Sequence, residues 1–72
     1  MDAIREAAIM QEGYQRLVDE RKLTKRAMCN LCVPFRDKYG LTDLQVLRIA
    51  RKEMDLMEMV ELLQPKETDH ED

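Results

Sequence analysis

The apolar side chains of this chain recur at intervals of three and four residues, which is the period of an α-helix. Along residues 2–20, one such series places an apolar stripe on a predicted helix: Ala3, Ala7, Met10, Tyr14 and Leu17. No stretch shows the alternation of apolar and polar residues that is typical of a strand. We therefore predict an all-α chain that forms a compact bundle of three or four helices.

A second helix is predicted from residue 24 to residue 39. Thr24 is a favourable first residue because its hydroxyl can accept a hydrogen bond from an amide of the first turn, and Gly40 is typical of a helix C-terminus. Pro34 lies inside this segment. Proline lacks an amide hydrogen and clashes with the carbonyl four residues back. We expect the helix either to kink or to break there, and a break would leave a short helix over 34–39.

The third predicted helix spans residues 42–64. Thr42 and Gln45 match a capping box, in which each side chain accepts a hydrogen bond from the backbone amide of the other residue. Nothing in the sequence interrupts this helix before Pro65. Residues 65–72 are polar and acidic, so we predict a helical domain over residues 1–64 followed by a disordered acidic tail.

The apolar residues of this third helix cover more than half of its circumference, which is more than one small core needs. The surplus predicts a Met-rich interface for a protein partner or for a second copy of the chain. We predict that this interface consists of Met54, Leu56, Met57, Met59, Val60, Leu62 and Leu63. Helical spacing favours Met54 and Met57 over Met59 as residues that fill the core.

Charge is distributed unevenly along the 72 residues. The net charge of the chain is −3, but residues 21–52 hold nine basic and two acidic side chains between two acidic ends. Such asymmetry indicates either a charged partner or an acidic pair of ends that lies across the basic middle. The sequence leaves both interpretations open.

A second functional hypothesis comes from residues 32–51. Gly40 lies at a turn, and five apolar residues surround it at fixed offsets: Phe35, Tyr39, Leu41, Val46 and Ile49. This pattern resembles the helix-turn-helix DNA-binding motif, although Arg36 stands where that family usually has a small residue. The resemblance implies a recognition helix that begins near Thr42. The residues expected to bind nucleic acid on it are Gln45, Arg48, Arg51 and Lys52.

Two cysteines, Cys29 and Cys32, form a CxxC pair on the second predicted helix. Two thiolates are half of a structural zinc site, so a zinc ion shared between two copies is a minor possibility. The simpler interpretation is that the two cysteines act as small hydrophobic residues near the core. We predict no metal bound by a single chain.

The sequence offers little support for catalysis. His70, the only histidine, lies in the predicted tail, so no positioned general base is visible. We therefore expect no enzyme, no cofactor and no small-molecule substrate. No apolar stretch approaches the roughly 20 residues that span a bilayer, and few cysteines suit a reducing compartment. We expect a cytoplasmic protein without a membrane partner.

These observations favour a small non-enzymatic regulatory or adaptor protein that binds another protein through its Met-rich helix and forms a homodimer. The alternative is a helix-turn-helix-like DNA-binding transcriptional regulator that uses the basic segment 34–52. The two hypotheses differ in the role that they give to the basic middle of the chain.

Overall fold

The computed structural model describes residues 3–63 and contains four α-helices in that range. They are α1 (Ala3–Asp19), α2 (Lys25–Tyr39), α3 (Asp43–Ala50) and α4 (Leu56–Leu63). The all-α prediction is confirmed, and the bundle has four helices. The predicted tail, residues 65–72, lies outside the described residues. No helix within residues 3–63 has both the length and the hydrophobicity that a membrane crossing requires.

Helix α1 lies at the centre of the bundle and packs against the other three helices. Ala7 and Met10 on its inner face are buried, as the spacing predicted. The chain leaves the helix through Arg21, whose φ of 57° places it in the left-handed region. The Lys22 amide donates to the Leu17 carbonyl at 2.8 Å and the Arg21 amide to the Val18 carbonyl at 3.1 Å. This pair of bonds is the Schellman motif, which ends a helix by satisfying its last carbonyls.

Helix α2 begins at the predicted cap, because the Ala27 amide donates to the Thr24 hydroxyl at 3.0 Å. It continues through Pro34 to Tyr39 as one helix, so the alternative of a break at residue 34 is wrong. Pro34 is on the exposed side, while Cys32 and Phe35 are buried close to it in sequence. The helix therefore tolerates the missing amide hydrogen of Pro34 at a place where its neighbours are anchored in the core. Gly40, with φ of 65°, ends the helix as predicted.

The predicted single helix over residues 42–64 is wrong, because the structure divides it into α3 and α4. The capping box of Thr42 and Gln45 is present and starts α3. That helix ends after Ala50, where Lys52 adopts a left-handed φ of 61°. The Lys52 amide donates to the Ile49 carbonyl at 3.0 Å, and the Glu53 amide donates to the Arg48 carbonyl at 2.8 Å. A second Schellman motif therefore terminates the helix without a glycine.

Asp55 starts α4, because its carboxylate accepts a hydrogen bond from the Glu58 amide at 2.8 Å. An aspartate followed three residues later by a glutamate is a helix-start signal, and the sequence contained it. The turn between α3 and α4 changes the direction of the chain, so Met54, Met59 and Leu63 all enter the core. A straight helix would have left much of its broad apolar surface in water.

The core draws on all four helices and on the loops before α3 and α4. Its buried members are Ala7, Met10, Cys32, Phe35, Leu41, Val46, Ile49, Ala50, Met54, Met59 and Leu63. Helices α1 and α2 approach closely at Gly13, where a Cβ atom would lie 2.9 Å from Leu31 Cδ1. The missing side chain at Gly13 leaves room for Leu31.

Candidate protein-interaction surface

Helix α4 has an apolar side that the bundle does not cover. Its inner side contributes Met59 and Leu63 to the core. On the other side, Leu56 is 63% exposed, Met57 76% and Val60 39%. We call these three residues the outer face of α4. Val60 is four residues after Leu56 and three after Met57, so the three side chains are neighbours on the helix surface.

The structure therefore divides the predicted interface into two parts. The core contains Met54, Met59 and Leu63, and Leu62 is half-buried against it. The remaining three predicted interface residues form the outer face of α4. The expected roles of Met57 and Met59 are reversed, since Met59 is buried and Met57 is the most exposed large apolar residue in the range 3–63. The break before α4 resets the helical phase, and a wheel drawn through residues 42–64 could not include that change.

Apolar residues exposed one at a time are common on protein surfaces, but a group on one helix face is more informative. Ile9, Val18, Leu23 and Leu44 are also exposed, but they are spread over α1, α3 and the loop between α1 and α2. The outer face of α4 places three such residues within five positions of one helix. Methionine is flexible and polarizable, which suits it to an adaptable contact surface.

Charged side chains flank the outer face of α4. Arg48 Nη1 on α3 lies 3.2 Å from Glu58 Oε2, so this carboxylate is already paired. Lys52, four residues before the helix, and Glu61, near its end, have no ion pair within residues 3–63. Glu61 thus adjoins Val60 on the helix itself, whereas Lys52 lies in the turn that precedes α4.

The apolar residues that carry the helix-turn-helix resemblance contribute to the core. Phe35, Leu41, Val46 and Ile49 are buried around the Gly40 turn, and Tyr39 is half-buried. The predicted nucleic-acid residues, however, are mostly occupied by neighbours. Gln45 Oε1 accepts a hydrogen bond from the Thr42 amide at 2.9 Å, and Arg51 Nη2 lies 3.1 Å from Glu53 Oε2. Arg48 bonds Glu58, and Lys52 alone of the four lacks a partner within residues 3–63.

The first helix neutralises another part of the basic segment. Glu6 accepts hydrogen bonds from Lys38 Nζ and from the Tyr39 hydroxyl, each at 2.8 Å. These bonds from Lys38 and then Tyr39 hold the pKa of Glu6 below its ordinary value. Sequence reasoning missed this contact because more than thirty residues separate the partners. The Glu6 and Glu58 pairs agree with the interpretation that acidic ends lie across the basic middle.

The two cysteines lie in different environments. Cys29 is exposed and Cys32 is buried, and burial is the main cause that raises the pKa of the Cys32 thiol. A buried thiol that resists ionisation is a poor metal ligand. Within the part of the chain that the structure describes, no three His, Cys, Asp or Glu side chains are grouped to hold a metal. A zinc ion shared between two copies stays an untested prediction.

A shallow groove of about 240 Å³ lies between α1 and α2, and its walls include Ile9, Leu31 and Pro34. Its two charged side chains, Glu6 and Lys38, bond each other at one end. Ligand sites generally present polar groups that are free to fix the orientation of a ligand. The pairing of Glu6 with Lys38 leaves this groove without such groups, so it does not support a substrate site.

Comparison with protein-family models, with curated proteins and with solved structures finds no match for this chain.

Proposed function

We propose that this chain is a small non-enzymatic regulatory or adaptor protein that acts by protein–protein binding through the outer face of α4. The observation that carries the proposal is the grouped exposure of Leu56, Met57 and Val60. Burying these side chains against another apolar surface would contribute roughly 25 cal/mol for each Å² removed from water. A single core built from so few residues supplies only about 3–5 kcal/mol, so burial of this face would add appreciably to the stability of the fold.

The partner that we propose is a second copy of the chain. Two copies of α4 packed antiparallel about a two-fold axis would bring the same three residues together from both sides. Glu61, which follows Val60 on α4, would then lie at the edge of the interface. Self-association would therefore cover the apolar centre of the face and leave this carboxylate at its solvated edge.

The proposed interface is small. Stable complexes bury about 800 Å² on each partner, and three side chains with their border supply less than that area. We therefore expect a weak homodimer with a dissociation constant of about 1–100 μM. A dimer in this range can exchange its second copy for another protein that offers a similar apolar helix, as an adaptor requires.

Sedimentation velocity over a concentration series tests this proposal. We expect the average mass of the native chain to rise toward that of a dimer as concentration increases through about 1–100 μM. Met57→Glu should hold the chain as a monomer throughout, because a charge would lose its hydration in the interface. Leu44→Glu is the matched control, since Leu44 is 67% exposed on α3 and lies outside the proposed face. The proposal fails if the native chain stays monomeric or if both variants dissociate alike.

A second candidate function is DNA binding by the helix-turn-helix-like segment 34–52. The burial of Phe35, Leu41 and Val46 around the Gly40 turn favours it. The ion pairs of Arg48 and Arg51 weigh against it, because each would have to exchange an acidic neighbour for a phosphate. Loss of duplex binding in the double variant Arg48→Gln, Arg51→Gln would favour this candidate over any other nucleic-acid surface.

A further inference from the structure

The cations of the basic middle fall into two groups with different surroundings. In the segment 34–52, four of the five basic side chains form ion pairs with carboxylates. Arg36 pairs with Asp37 and Asp43, and Lys38 pairs with Glu6. Arg48 pairs with Glu58, and Arg51 pairs with Glu53. The positive charge of this segment is therefore largely neutralised within the chain itself.

The other group lies at the turn between α1 and α2. It consists of Arg21, Lys22, Lys25 and Arg26, which we call the basic turn. All four residues are exposed, and the segment 21–26 contains no acidic residue. The one ion pair found there is loose, with Lys22 Nζ 3.8 Å from Glu20 Oε1. Six cations within residues 3–63 have no ion pair, and three of them, Arg21, Lys25 and Arg26, lie together at this turn.

The position of the basic turn makes its positive charge electrostatically unfavourable. Lys25 and Arg26 occupy the first turn of α2, which contains no acidic residue. The helix macrodipole is positive at that end, so cations there are unfavourable and an anion would be stabilised. Four neighbouring cations also repel one another. A bound polyanion would relieve both effects.

We propose that the basic turn binds the phosphate backbone of nucleic acid. Phosphates spaced along a strand fit several exposed lysine and arginine side chains, and such contacts need no particular base sequence. An anionic membrane is the less favoured partner, because stable surface binding needs apolar insertion as well as charge. Leu23, the apolar residue within this turn, is 37% exposed and is the most covered of the exposed large apolar residues. Nucleic-acid binding at the basic turn does not require self-association through α4.

Fluorescence anisotropy with a labelled mixed-sequence DNA duplex tests the inference. With four phosphate contacts, the logarithm of the binding constant should fall against the logarithm of salt concentration with a slope of about −3 to −4. The double variant Lys25→Gln, Arg26→Gln should weaken binding at least about tenfold and reduce the magnitude of this slope by about 2. Both residues are exposed, so circular dichroism should show an unchanged helical content.

The matched control is Arg48→Gln, Arg51→Gln, which removes the same charge from the helix-turn-helix-like segment. The inference predicts that this control binds the duplex like the native chain. It is overturned if the control loses binding while the basic-turn variant keeps it, a result that would favour the recognition helix instead. It is also overturned if the native chain ignores the duplex, including the case in which it binds phosphatidylserine-containing vesicles.

Discussion

Replacement of Ile49 by alanine is expected to leave a large fraction of the chain unfolded at 25 °C. Ile49 is 0% exposed and is the largest fully buried side chain among residues 3–63. Truncating a buried isoleucine costs about 2–5 kcal/mol, because apolar contacts are lost and a cavity remains. A single small core supplies only about 3–5 kcal/mol in total. The substitution therefore removes most of the free energy of unfolding.

Urea denaturation followed by circular dichroism measures this effect. Ile49→Val should give an intermediate loss of about 0.5–1.5 kcal/mol, so the effect can be read even if Ile49→Ala does not fold. Leu44→Ala on the same helix is the control and should change stability by no more than about 0.5 kcal/mol, because Leu44 is largely exposed. Equal losses for Leu44→Ala and Ile49→Ala would contradict the observed burial of α3.

Met59→Glu is expected to unfold the chain, whereas Met57→Glu should leave it folded. Met59 is 6% exposed and Met57 is 76% exposed, although only one residue separates them. An uncompensated buried charge costs about 3–5 kcal/mol, whereas a charge at an exposed position changes stability by about 0.5 kcal/mol or less. Thermal melting of the two variants at a concentration below that of self-association measures the difference.

This pair of variants also tests the break between α3 and α4. A continuous helix over residues 42–64 would favour Met57 as a core residue and Met59 as an exposed one. The opposite pattern of stabilities, with Met57→Glu unfolded and Met59→Glu stable, would show that the turn through Lys52 is absent. The two substitutions have the same chemistry, so composition and net charge cannot account for a difference between them.

Local signals in the sequence were sufficient to place several helix ends. Thr24 caps α2, and the capping box of Thr42 and Gln45 starts α3. Each of these signals acts over three residues, so it can be recognised without knowledge of the fold. Gly40 ended α2 for the same reason, because glycine adopts a left-handed conformation at little cost. The helical spacing of Ala7 and Met10 is also a local signal, and it correctly predicted that both residues are buried.

The end of α3 could not be predicted in this way. Lys52 adopts a left-handed conformation that non-glycine residues rarely take, and nothing in residues 42–64 resembles a stop. The turn is stabilised because it brings Met59 and Leu63 into contact with the core. That contact depends on the packing of all four helices and not on the local sequence. The Asp55 cap was present in the sequence, but a cap inside a continuous apolar pattern is easily read as part of one helix.

The sequence predicted only part of the candidate interaction surface, because it did not show where α3 ends and α4 begins. The sequence indicated a surplus of apolar surface after residue 53, but the phase of α4 decides which residues remain outside. The ion pairs were even harder to predict from the sequence, since Glu6 and Lys38 meet only when α1 and α2 pack together. Sequence charge alone therefore pointed to the whole segment 21–52, while the ion pairs leave most of its unpaired cations at the basic turn.

Disulfide cross-linking through the outer face of α4 tests the central proposal most directly. Met57→Cys in a Cys29→Ser background places one exposed thiol near the middle of that face, and Leu44→Cys in the same background is the control. Cys32 is buried in both. With oxidised glutathione as the oxidant, the account predicts a covalent homodimer for Met57→Cys and a monomer for Leu44→Cys. A monomer for Met57→Cys, or equal cross-linking of the two variants, would contradict it.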